Sequence, residues 1–218
     1  MDPAIQRLRD ELKNKVSLRY CMGGLIPGWD NFDDPINSVS RPLQMGPVWM
    51  HAASVTGMKV DFNLWHRDPP ASSYPSCIAF KCVQLQSELF ADTYLWMMRE
   101  ACMAKGINIA RPAALLALAE DLKETHPGFD LKEFELQLSL DKGEGLAAFK
   151  KDLAETRLNN IRRFPTLIIR KAGAESLVAT GYRPYEALMA TIEKMQTGNE
   201  PVPGTGNPSP DQQPEQGV

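Results

Sequence analysis

Arg163-Phe164-Pro165-Thr166-Leu167-Ile168-Ile169 is the stretch on which the fold turns. From Phe164 to Arg170 the run is β-branched and apolar and reads as a strand. Pro165 stands at its beginning, where a strand tolerates a residue without an amide hydrogen. Lys171 to Glu175, with Gly173, reads as a turn and Ser176 to Thr180 as a second strand, so the segment predicts a β-hairpin. Gly181 follows, and Pro184 opens an amphipathic helix with Leu188, Ile192 and Met195 at helical spacing. Beyond it, residues 198–218 are Pro, Gly, Asn, Gln and Glu with almost nothing apolar, which predicts a disordered tail.

Upstream of this stretch the period is helical. Residues 25–41 are rich in Pro, Gly, Asp and Asn and have no clear period. Helices are expected over Pro42–Thr56, with Pro47 interrupting it or starting a turn, and over Ser73–Ser87, with Pro75 near its start. Phe90–Ala104 is dense in Tyr94, Trp96, Met97, Met98 and Met103, a packing stripe rather than a binding surface. Pro112–Thr125 is an alanine- and leucine-rich helix stopped by His126-Pro127-Gly128. Asp130 with Glu133 forms a capping-box-like opening to a helix reaching about Leu140, and Gly145–Asn160 supplies one more. At the front, Asp2 reads as an N-cap with Pro3 at the first helical position and Ile5, Leu8 and Leu12 on one face. That helix hands over through Asn14 and Lys15 to a strand-like run, Val16–Met22, ended by Gly23 and Gly24. The chain therefore divides into 1–24 (helix and strand), 25–153 (loop and helical insertion), 154–197 (hairpin and last helix) and 198–218 (tail).

The 218 residues can bury a substantial core, and 43% hydrophobic with 23% charged residues is ordinary for a globular protein. A net charge of −3 provides no basic field for nucleic acid or anionic lipid. No window approaches the roughly 18 apolar residues of a membrane span, and the first turns lack a signal-peptide core, so the cytoplasm is expected. Cys21, Cys77, Cys82 and Cys102 show no redox or zinc spacing, and His51, His66 and His126 are scattered. Cys77 and Cys82 sit about 140° apart on a helix and share no face. The four are expected to be reduced, mostly buried thiols; no metal and no cofactor is expected.

Five segments in order carry a family resemblance: Tyr20-Cys21-Met22-Gly23-Gly24-Leu25, Ser40-Arg41-Pro42, Pro69 to Cys77, Arg163-Phe164-Pro165-Thr166 and Thr180-Gly181-Tyr182-Arg183-Pro184. Together they resemble the DsbA-like, predicted dithiol–disulfide isomerase group of the thioredoxin superfamily, over about Asp2 to Met195. The resemblance implies an α/β, thioredoxin-like fold with a large all-helical insertion. It also implies thiol–disulfide exchange with polypeptide thiols and disulfides, or with glutathione, as partners. Pro165 matches the family's cis-proline, Phe164 the residue whose backbone pairs with an extended substrate, and Thr166 follows them in the substrate-binding wall. The run alone also fits a trans proline at the start of an ordinary strand.

The family's other half is a strand ending in Asp-Pro-x-Cys-x-x-Cys that runs into the first helix. The thiolate of its first cysteine is favoured by the helix N-terminus and the second cysteine resolves the mixed disulfide. Here that helix starts at Asp2 and no Cys-x-x-Cys occurs anywhere. The resemblance therefore implies a chain lacking the first, central strand, with no catalytic residue of its own and no dithiol chemistry as written. Three explanations compete: a start placed too late, a fragment completed by another chain in an oligomer, or direct pairing of the flanking strands. Three functions follow, namely a DsbA-type oxidoreductase or isomerase whose cysteines lie upstream, a non-redox peptide-binding protein, and a glutathione-binding relative of the kappa-class transferases and hydroxychromene-carboxylate isomerases. Tyr182 and Arg183 can reach an anionic group such as a glutathione carboxylate, although a helix-opening turn explains them as well.

Overall fold

The computed structural model describes residues 2–12 and 15–197. The handover at Asn14, the tail expected over 198–218 and the side chains of Asp2 and Pro3 lie outside the described residues. The chain forms two compact units, one of Met1–Arg19 with Arg163–Val218 and one of Tyr20–Arg162.

In the first unit, α1 (Asp2–Glu11) lays Ala4, Ile5 and Leu8, with Leu12 just beyond it, into a small core. The helix–helix partner is the last helix, which contributes Leu188 and Ile192. Burial of each such leucine or isoleucine is worth about 1.5–3 kcal/mol. Leu18, Leu167 and Ile169 pack against the same cluster.

The second unit is helical. It contains short 3₁₀ turns at Trp29–Asn31 and Pro42–Gln44, then α2 (Met45–Thr56), α3 (Leu64–Arg67), α4 (Tyr74–Gln86) and α5 (Glu88–Arg99). A π turn over Glu100–Ala104 leads to α6 (Pro112–Thr125), α7 (Leu131–Gln137) and α8 (Glu144–Leu158). Pro47 falls in the first turn of α2, where a missing amide hydrogen costs nothing. The capping expectation at α7 is met: the Glu133 amide donates to Asp130 Oδ1 at 3.0 Å.

Helix α4 is the axis of this unit. Cys77, Ile78, Ala79, Phe80, Lys81, Cys82 and Val83 are buried in succession, so α4 is covered on every side by its neighbours. That is why two cysteines on different faces are both buried. Tyr94, Leu95 and Met98 of α5, Leu115, Ala119 and Leu122 of α6, Phe134 of α7 and Phe149 of α8 close the core around it. The Tyr94 hydroxyl is satisfied by Leu115 O at 2.7 Å.

Back in the first unit, β1 (Thr166–Ile169) and β2 (Leu177–Thr180) form an antiparallel hairpin, followed by α9 (Tyr185–Thr197). Thr166 lies opposite Thr180 and Ile169 opposite Leu177. Among the described residues this pair is the whole sheet.

No strand forms over Val16–Met22, contrary to the sequence expectation. A strand exists only through its ladder, and the Met22 amide donates instead to the Asp152 carboxylate, Oδ2, at 2.8 Å. Alternate residues of the run still find apolar cores: Leu18 meets that of the first unit, and Tyr20 and Met22 meet that of the second. Gly24, read as a strand-ending turn, adopts φ +57° where a Cβ would stand 2.9 Å from the Phe149 ring. Close packing as well as the left-handed turn demands glycine there.

Candidate functional site

The open end of the hairpin brings the three expected substrate-contact residues together. The Phe164–Pro165 peptide bond is cis. Phe164 is 37% exposed, Pro165 is exposed and Thr166 is half-buried. The Thr166 hydroxyl donates to Arg163 O at 2.7 Å and lies 3.3 Å from the Thr180 hydroxyl across the ladder. The Gly181 amide donates to Pro165 O at 2.8 Å, and Gly181 has φ +81°. These bonds close the hairpin around the proline and hold Phe164 against solvent. The same Gly181 bond puts Tyr182 and Arg183, both exposed, one and two residues beyond the proline's partner.

The Gly181–Pro165 bond also fixes which backbone groups β1 spends on β2. In an antiparallel ladder, hydrogen-bonded pairs alternate with unbonded ones. Pro165–Gly181 is a bonded pair, so Leu167 and Ile169 direct their amides and carbonyls at β2. Thr166 and Ile168 direct theirs at the other edge, where no strand lies among the described residues.

The cysteines lie in the second unit and do not pair. Burial pushes the Cys77 and Cys82 thiols up to about 12, and the Cys102 thiol likewise to about 12. A thiol so raised is almost wholly protonated at neutral pH and makes a poor nucleophile. Cys21 is half-buried, with its Sγ 3.6 Å from Asp152 O.

The surroundings of Asp152 were not foreseen from its own stretch of sequence. Its carboxylate, 4% exposed, meets the Lys81 ammonium at 3.0 Å and accepts the Met22 amide. Lys81 also donates to Gln84 Oε1. The one visible hint was a lysine inside the apolar run Ala79-Phe80-Lys81-Cys82-Val83. Cys21, Asp152 and Glu155 gather ligand atoms within 4.8 Å of one another. A cation there would compete with the Lys81 ammonium for Asp152, so the donor set fits an internal ion pair better than a metal. Elsewhere in the same unit Trp65 is buried between Trp29 and Trp49, whose rings meet it edge-on at 6.0 and 5.1 Å. These tryptophans pack against one another.

With a hairpin of this register behind the first helix's core, the comparison with known sequences is direct: the thioredoxin family profile matches residues 1–190. The chain belongs to the thioredoxin family. This thioredoxin-family chain is 24% identical over 196 residues to the ClpXP adapter protein SpxH of Halalkalibacterium halodurans, covering 89% of the chain and 62% of that protein. It is 25% identical over 212 residues to the ClpXP adapter protein SpxH of Bacillus subtilis, covering 95% and 66%. The chain thus spans somewhat under two thirds of the length of these relatives. Among solved structures it is similar to a putative protein disulfide isomerase from Nitrosomonas europaea, with TM-score 0.71, 20% identity and coverage of 91% and 90%. The cytosolic disulfide reductase DsbM from Pseudomonas aeruginosa superposes with TM-score 0.63 at 17% identity, covering 89% of this chain and 90% of that one. A structure of DsbM with glutathione gives TM-score 0.62 at 17% identity, covering 89% and 91%. The fold is that of a DsbA-like thioredoxin-superfamily protein with a helical insertion.

Proposed function

We propose that this chain supplies the peptide-binding wall of a DsbA-type thiol–disulfide exchange site, with Phe164, Pro165 and Thr166 receiving an extended polypeptide, and performs no dithiol chemistry with its own cysteines. The observation that carries the reading is the contrast between the two kinds of residue. Phe164 and Pro165 are presented to solvent at a closed hairpin end, whereas Cys77, Cys82 and Cys102 hold thiols pushed up to about 12. Exchange at this wall requires a Cys pair that these 218 residues do not contain at the needed spacing. Polypeptide thiols and disulfides are the proposed partners, and the cytoplasm the proposed compartment. Free cysteines, the cytosolic reductase among the structural relatives and the absence of a helix long and apolar enough to cross a membrane, among the described residues, support the latter.

A second reading, a non-redox adapter that binds peptide segments of other proteins, is favoured by the SpxH relatives, which are named as ClpXP adapters. Both readings use the same wall. Binding of a labelled extended peptide, with serine replacing cysteine, measured by fluorescence anisotropy, tests it. Pro165→Ala is expected to weaken binding about tenfold, or about 1.4 kcal/mol. Undiminished affinity in that variant would remove Pro165 from the site.

A further inference from the structure

We infer that the open end of the β1–β2 hairpin selects extended polypeptide segments that carry carboxylates; the inference rests on the peptide-wall reading above and names its substrate class. The Gly181–Pro165 bond of 2.8 Å gathers two short stretches at this end. Arg163 and Phe164 lie just before one strand, and Tyr182 and Arg183 follow the other. All four side chains face solvent, Phe164 and Tyr182 at 37% and 45% exposure. Two aromatic faces of this kind pack against the backbone and side chains of an extended segment without demanding a particular sequence.

The guanidinium groups add the selectivity. Three arginines elsewhere in the chain are spent on its own carboxylates: Arg7 on Glu11, Arg67 on Asp61 and Arg111 on Asp68. Among the described residues, neither Arg163 nor Arg183 is paired with a carboxylate. The acidic residues closest in sequence are engaged or distant: Glu186 meets Arg7, and Glu175 sits at the turn, the opposite end of the hairpin. In a chain of net charge −3, two unspent guanidiniums beside an exposed Phe-Pro pair form a local positive site against the overall field. A planar guanidinium recognises a carboxylate through two parallel hydrogen bonds, which no amide in its place reproduces. The Thr166 hydroxyl, bonded to Arg163 O at 2.7 Å, ties the backbone of one of these arginines to the strand that would align the peptide.

The test uses the full chain and two labelled peptides identical in length, with serine for cysteine. One carries Glu and Asp around the serine, and the other carries Gln and Asn at the same places. At low salt the acidic peptide is expected to bind about fivefold tighter, the size two exposed charge pairs can supply. The gap should close at high salt. It should also close in Arg163→Gln/Arg183→Gln, which is expected to lose more affinity for the acidic peptide than for the amide peptide. Equal affinity for both peptides, with Pro165→Ala still weakening each, would overturn the charge inference and leave the peptide wall standing. If neither peptide binds, the wall and the inference fall together. Tighter binding of S-methylglutathione than of the acidic peptide would overturn the polypeptide assignment in favour of a small carboxylate-bearing thiol.

Discussion

At the scale of single residues, solvent access separates groups able to meet a substrate from groups that are not. Cys77 and Cys82 on α4 and Cys102 in the π turn have thiols raised to about 12 because burial strips the water a thiolate needs. At pH 8 about 10⁻⁴ of such a thiol is ionised, against about a quarter of an ordinary one. Mass-spectrometric mapping after brief iodoacetamide treatment of the native chain should therefore find these three unmodified long after a free thiol has reacted. Labelling of all three at the rate of free cysteine would contradict their placement. Because the folded state keeps protons that the unfolded state releases above about pH 8.5, stability falls as pH rises from about 8.5 towards 12. Much of this was legible in the sequence. Spacing showed no redox Cys pair, and free cysteines as a class read as mostly buried thiols. That burial covers every face of α4 was not legible, since it depends on which helices pack around it.

Among the elements, those punctuated by local chemistry were readable and those defined by a distant partner were not. Pro112 and His126-Pro127-Gly128 bracket α6, Asp130 caps α7, and the turn at Gly173 announces the hairpin, all within a few residues. Val16–Met22 has a strand's alternation, but a ladder is tertiary, and its Met22 amide belongs to Asp152, 130 residues on. The β1 edge carries a sharp consequence of register. Leu167 and Ile169 amides donate towards β2, whereas Thr166 and Ile168 amides face the other edge. Hydrogen exchange resolved by NMR should show slow exchange at Leu167 and Ile169 and fast exchange at Thr166 and Ile168. Equal protection of all four would mean that another strand covers this edge.

Across the whole molecule, two units with separate cores divide the work. The unit made from the chain's two ends carries the hairpin and the exposed Phe164–Pro165, and the helical unit of Tyr20–Arg162 encloses the buried thiols and the Lys81–Asp152 pair. The side chains of that pair are 9% and 4% exposed, so its members are dependent on each other. Asp152→Ala leaves a buried ammonium and an unsatisfied Met22 amide, and should destabilise the helical unit by about 3–5 kcal/mol in denaturant unfolding. A loss below about 1 kcal/mol, the size of an exposed pair, would contradict its burial. The family framework was legible in the order of the segments around Pro165, whereas the pair was not, because its two residues lie 71 positions apart in sequence. Insulin reduction by dithiothreitol in the presence of the purified chain decides whether the wall works without a dithiol of its own. The expected rate is no greater than that of dithiothreitol alone. An accelerated rate that disappears on replacing Cys21, Cys77, Cys82 or Cys102 with serine would contradict it.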